Sequence, residues 1–414
     1  MSGTQTALGE QRGAWLGRPM SWRVRYRVMP WWVKVLAVFV ASRLVTTAIF
    51  LWFAANQAGV PGWVSAHPGY FEYASVWDGG WYQRIAEFGY PATLPVDATG
   101  HVQQNAWAFL PLYPFLVAVL STVTTVPWTV MAPIVSLLFG AGTVLLLHRL
   151  LQPMIGSGAA LFAVVLYCVA PVSPLLQVSY AESMQCFLIV LGLLLLVRRR
   201  YGWLFPVIAV MALTRPTGLA FALALGLLWL YRLWRRRSEA FTLREAALLG
   251  SATVFSGLMG LAWPALAWLV TGLHDAYVQT ELSWRVGYIG WTELQPFTAW
   301  FQSADWWLSG SPLAPFVVIA LIVAFGLCFL LRPVRALAIE LRMWIAAYGI
   351  YLLAVFFPQS SVFRLLMPFF PALGALAVPR SRVYRVALVL LGVAGQFGWM
   401  YIAWSFQWPD WTPP

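Results

Sequence analysis

Long apolar runs separated by short arginine clusters set the pattern of this chain. A spanning helix takes roughly 20 apolar residues. Runs of that character lie near 33–55, 129–148, 157–175, 182–197, 203–214, 217–231, 245–271, 312–331, 341–358, 362–379 and 384–404. They predict an all-α, polytopic membrane bundle of about eleven helices. Residues 1–32 form a basic tail carrying Arg12, Arg18, Arg23, Arg25 and Arg27. That tail is too long and too charged for a cleaved signal peptide, and no small-residue cleavage site follows the first run. The remainder, 33–414, reads as one membrane-embedded domain, because no other stretch is polar and long enough to fold in water.

The apolar segment at 108–123, AFLPLYPFLVAVLSTV, controls the topology. If it spans, the clusters Arg198-Arg199-Arg200, Arg232 to Arg237, Arg332 with Arg335, and Arg380 with Arg382 and Arg385 face outward. If it lies in the interface or re-enters, they all face the cytoplasm, which the positive-inside rule prefers. Pro111 and Pro114 also disfavour a continuous helix through its first turns. On this reading the tail, which precedes Lys34, is cytoplasmic. Only Arg43, Arg84, Arg215, Arg285 and Arg364 depart from the inside bias. The acids do the reverse: Glu10, Glu239, Glu245 and Glu340 are inside, and all others lie outside or at outer helix ends. Two long outer loops, 56–128 and 272–311, are rich in Trp, Tyr and acids. Function is therefore expected on the outer face.

Composition agrees with a membrane protein. The chain is 61% hydrophobic and 10% charged, against about 25% charged for a soluble domain. A net charge of +12 suggests nucleic acid in a soluble protein. Here the arginines sit as orientation signals, so no nucleic-acid partner is expected. Lys34 is the sole lysine, a bias that points to a GC-rich bacterial source and its plasma membrane. Cys168, Cys186 and Cys328 fall inside apolar runs, and His67, His101 and His274 show no metal-ligand spacing. There is no P-loop, no GxGxxG after a strand and no GxSxG. No cofactor is expected, and metal dependence is left open.

The candidate chemistry centres on SVWDGGWYQRIAEFGYP, Ser75 to Pro91. Asp78 fits a general base for an acceptor hydroxyl, although Asp-Gly-Gly is also a turn sequence. Glu72, Glu87 and Asp97 read as solvated loop charges, with Glu87 able to pair with Arg84 on a helix. Arg215 in TRPTG and Arg364 in SSVFRLLMP sit at outer membrane ends. A guanidinium fork matches phosphate oxygens, so both are candidates for a lipid phosphate, as is Arg285 in ELSWRVGY. The alternative for Arg215 is an internal pair with Glu182 of SYAES. Arg43 reads as structural, satisfied inside the bundle. Trp77, Trp81, Tyr82, Trp107 and Tyr113 suit sugar stacking or an interfacial belt.

At these residues the chain resembles the PIG-V-like mannosyltransferases, integral-membrane glycosyltransferases of the GT-C class. The segments that carry the likeness, in order, are SRL (Ser42 to Leu44), WDGGWYQRIAEFGYP, AFLPLYPFL, APVSPLLQVSYAESM, ALTRPTGL and FRLLMPFFP. Gly79-Gly80 stand where the family more often has Ser or Gly and then a bulkier residue. The resemblance implies a polyprenyl-phosphate mannose donor rather than a nucleotide sugar. It implies Asp78 as catalytic base and supports interfacial helices in the first outer loop; in the mechanism expected from these residues Arg215 holds the donor phosphate with Arg364 or Arg285 assisting. Trp77, Trp81, Tyr82, Arg84, Glu87, Tyr113, Tyr180 and Glu182 become supporting or substrate-binding residues. The acceptor is a glycan, glycolipid or protein. Two other readings stand beside this one: a flippase for a polyprenyl-linked sugar, and a non-catalytic subunit of a transferase complex.

Overall fold

The computed structural model describes residues 28–406. Most of the basic tail expected over 1–32 therefore lies outside the described residues. No strand occurs among the described residues; two isolated bridges in the first loop are the whole β content there. The first helix is α1 (Trp31–Asn56). The first long loop then carries α2 (Asp78–Phe88) and α3 (Leu112–Thr124). A bundle follows of α4 (Trp128–Ile155), α5 (Ser157–Val169), α6 (Glu182–Val197), α7 (Leu204–Ala212), α8 (Gly218–Arg235) and α9 (Leu243–Thr271). The second long loop holds α10 (Ala276–Ser283) and α11 (Ala299–Trp307). The last helices are α12 (Ala314–Cys328), α13 (Ile339–Val355) and α14 (Arg382–Trp399).

Among the described residues five helices are long and apolar enough to cross a membrane: α1, α4, α8, α9, and α14 with its continuation to Trp404. The other apolar helices are shorter, and prolines explain several breaks. The run expected over 157–175 ends as an α-helix at Val169, before Pro171, and resumes as a 3-10 turn over Ser173–Gln177. The run expected over 362–379 splits into Val362–Leu365, Met367–Ala372 and Leu373–Leu376. Pro368 and Pro371 lack an amide donor and bias the residue before them away from helix. The segment at 108–123 is a 13-residue helix that starts at Leu112, between its two prolines. Pro114 then falls in the first turn, where its missing N–H has no intrahelical partner to lose.

Two close approaches set the bundle. Helices α8 and α9 cross at Gly218 and Gly260, where a Cβ on Gly218 would lie 2.6 Å from the Gly260 Cα. Small residues let backbones approach this closely. Ser256 Oγ donates to the Gly218 carbonyl at 2.8 Å, fixing the register. Arg43 in α1 is satisfied internally, as expected, by the carbonyls of Ser173 and Cys168, both at 2.6 Å.

Ion pairs stand at both ends of the bundle. At one end Arg199 pairs with Glu245 and Arg232 with Glu340. Helix α8 carries the chain from there to Arg215; its 18 residues span about 27 Å. At the Arg215 end the two long loops, the tip before Gly218 and the turn after Pro358 come together.

Candidate active site

Asp78 and Glu182 are the first residues of α2 and α6, and both are buried. Each carboxylate therefore sits at the positive end of a helix dipole. The chain enters α2 through Trp77 at φ 59° and ψ −122°. A non-glycine residue there costs about 1–3 kcal/mol and persists only when its surroundings hold it. They do so here: the Trp77 indole donates to the Trp404 carbonyl at 3.0 Å and stacks on Phe406 at 4.1 Å. Ser75 and Ser179 hydroxyls meet at 2.8 Å, and the Asp78 amide donates to Tyr180 Oη at 3.2 Å. Gly79 permits this contact, because a Cβ there would stand 3.2 Å from the Ser179 Cβ. The Asp-Gly-Gly sequence thus opens a helix pressed against the SYAES segment.

Two guanidiniums close on these acids. Arg364 and Asp78 form a direct ion pair, as do Arg215 and Glu182. Cross-contacts join the pairs: Arg215 Nη2 lies 3.3 Å from Asp78 Oδ2, and Arg364 Nε lies 3.6 Å from Glu182 Oε1. Two positive and two negative charges balance in one buried quartet. The rings of Tyr82 and Tyr180 flank it, with the Arg215 guanidinium 5.9 Å from Tyr82 and that of Arg364 5.5 Å from Tyr180. Arg215 is held at the tip beside the Gly218–Gly260 crossing. Arg364 is held by Tyr348 Oη donating to the Leu365 carbonyl at 2.8 Å and by the Trp344 indole donating to the Pro368 carbonyl at 2.9 Å.

The structure gathers Asp78, Glu182, Arg215, Arg364, Tyr82 and Tyr180 into one site. The pairing of Arg215 with Glu182, raised from sequence as the alternative to phosphate contact, is present. Trp81 stacks on Phe109 at 5.5 Å beside it. Tyr113 touches Tyr82 edge-on, but its hydroxyl is spent on the Ala132 carbonyl and Ser136. Arg84 and Glu87 are exposed and outside the quartet; Glu87 accepts from Gln83. Arg285 also stands apart, donating to the Val355 carbonyl at 2.5 Å. Among the described residues no group of three or more His, Cys, Asp or Glu side chains gathers for a metal.

One acid near the quartet was not singled out from sequence. Glu281 on α10 is half-buried and lies in the electrostatic reach of Arg285, Arg215 and Arg364. Burial pushes its carboxyl upward, while a hydrogen bond from Tyr277 and those three cations pull it down. The available signal was an acid one turn before Arg285 in an aromatic stretch.

No family model matches the sequence, and no curated protein matches it. Solved structures do. Oligosaccharyltransferase AglB from Archaeoglobus fulgidus, in complex with an inhibitory peptide and a dolichol-phosphate, aligns with TM-score 0.45 and 15% identity. The alignment covers 92% of this chain and 56% of that one. ArnT from Cupriavidus metallidurans, bound to undecaprenyl phosphate, aligns with TM-score 0.48 and 16% identity over 87% of this chain and 62% of that one. This chain thus spans about three fifths or less of the length of these two. Likenesses of this degree leave the function to be read from the chain's own residues.

Proposed function

We propose that this protein is a GT-C-type glycosyltransferase that moves a mannosyl residue from a polyprenyl-phosphate donor to an acceptor hydroxyl at the outer membrane face. The observation that carries the reading is the buried Asp78 carboxylate gripped by arginines from two other segments. A lone anchor or scaffold has no use for two carboxylates and two guanidiniums buried together, which cost several kcal/mol per ion to desolvate.

In this reading the acceptor hydroxyl comes against Asp78 and attacks the anomeric carbon. A new C–O bond forms there, and the bond from that carbon to the phosphate oxygen breaks. The proton passes to Asp78, and the electron pair leaves with the polyprenyl phosphate. The phosphate is a good leaving group, so one carboxylate base is enough and the configuration inverts. Arg215 and Arg364 stabilise the charge that grows on the phosphate; Arg285, held at the Val355 carbonyl, takes no part in that contact. Arg215 makes its ion pairs through Nη2 and Arg364 bonds Asp78 through Nη1, so the other guanidinium N–H groups are the donors for phosphate oxygens. The acceptor enters between the two long loops.

The test is transfer of labelled mannose from polyprenyl-phosphate mannose to a panel of acceptor glycans, by wild type and Asp78→Asn. Transfer by wild type alone supports the reading. Equal transfer by a folded Asp78→Asn protein overturns the base assignment. Movement of donor across a bilayer without product moves the reading to a flippase.

A further inference from the structure

The end of α14 grips the residue that precedes Asp78. Over Met400–Trp404 the helix widens into a π turn, closed by the Ser405 amide on the Met400 carbonyl at 2.9 Å. Such turns are rare and gather at functional sites. A carbonyl in the last turn of a helix has no intrahelical donor. The Trp404 carbonyl is therefore available to the Trp77 indole N–H, which reaches it at 3.0 Å from 327 positions away. Phe406 then lies on the Trp77 ring, 4.1 Å away and 16° from parallel. The Phe406 amide donates to Gln57 Oε1 at 3.2 Å, and Gln57, just past α1, is buried.

Trp404 reaches Asp78 by a second route. Its buried indole donates to the Tyr73 carbonyl at 3.1 Å, and its ring packs on that of Tyr180 at 5.4 Å. Tyr180 Oη accepts the Asp78 amide. The end of α14 thus braces both the residue before the acid and the group that receives the acid's own N–H. Phe406 covers the Trp77 ring and Trp63 tilts against it at 5.4 Å, which commits that ring to the protein. Side-chain sterics disfavour φ 59° and ψ −122° at Trp77, so this bend persists only while the surroundings pin it. The bend turns the chain into α2, and the direction of the Asp78 carboxylate follows from it.

We propose that Trp77 and Phe406 are positioning residues: they form a clasp between the end of α14 and the first loop that aims the Asp78 carboxylate without touching substrate. The proposal rests on the transferase reading above.

The experiment uses the full-length purified protein as wild type, Trp77→Phe, Phe406→Leu and Phe406→Tyr. Trp77→Phe removes the indole N–H and keeps a ring. Phe406→Leu removes the stack and keeps an apolar side chain, and Phe406→Tyr keeps the stack. Transfer of labelled mannose gives kcat and KM, thermal unfolding in detergent gives stability, and hydrogen exchange reads protection at the start of α2. A misplacement of about 1 Å can cost on the order of 100-fold in rate. Trp77→Phe and Phe406→Leu should therefore lower kcat by roughly 10- to 100-fold and loosen the start of α2. Donor KM should change little, because the arginines that take the phosphate remain, and Phe406→Tyr should keep wild-type kcat. Unchanged kcat in Trp77→Phe and Phe406→Leu overturns the positioning role and leaves the transferase reading standing. A fall in kcat that merely tracks loss of folded protein makes the contact structural and overturns the proposal as well. A wild type that transfers no sugar overturns the transferase reading, and the positioning role falls with it.

Discussion

Arg364 and Asp78 are 286 positions apart in the chain and form a direct, largely buried ion pair. The same Asp78 oxygen also meets Arg215, from the α7–α8 tip. The acid, the tip and the late turn are thereby locked into one site.

Arg364→Lys keeps the charge and loses the planar fork. It should lower kcat/KM for donor transfer by roughly 100-fold or more, the scale for removing one charge-stabilising donor. Single-turnover kinetics with labelled donor measures it; wild-type turnover would remove Arg364 from the chemistry.

Glu182→Gln leaves Arg215 without its principal counter-ion. Breaking one member of a buried pair costs about 3–5 kcal/mol, so thermal unfolding in detergent should fall sharply. Glu182→Leu combined with Arg215→Met should recover much of that stability and recover no transfer. Recovery of both would make the pair purely structural.

Gly260→Val places a branched side chain against the α8 backbone, where a Cβ would already lie 2.7 Å from the Leu219 amide nitrogen. Overpacking costs about 1–3 kcal/mol. The shift is transmitted to Arg215 at the neighbouring tip, so donor affinity should fall with stability. Gly257→Val, with open space around its Cβ position, is the control and should change neither.

The turn at Asp97 gives a pH signature. Its carboxylate accepts from the Thr99 hydroxyl and amide and from the His101 amide. Those bonds, the Thr99 hydroxyl first, hold its pKa below the ordinary 3.8. A lowered folded-state value stabilises the turn above the unfolded value and loses that effect as pH falls through the folded one. Protection factors of the Thr99 and His101 amides, which correct for intrinsic exchange, should fall only at pH below the ordinary carboxylate range. Loss of protection near neutrality would contradict the assignment.

Sequence by itself determined the class. Apolar runs and arginine clusters specify a membrane bundle, and the stranded acids point to one end of it, because water, lipid and charge act on composition and periodicity. It also singled out Asp78, Arg215, Arg364 and Glu182, since ionisable residues are conspicuous in an apolar chain. The late run at 362–379 showed its limit: its prolines break it into three turns, and those turns are what aim Arg364. Only the tertiary structure decided which ions meet. It joined Asp78 to Arg364 and Glu182 to Arg215, and set Arg84, Glu87 and Arg285 apart. Such pairings follow from helix crossings such as Gly218 against Gly260, and a crossing depends on the shape of both surfaces, which periodicity along one segment does not encode.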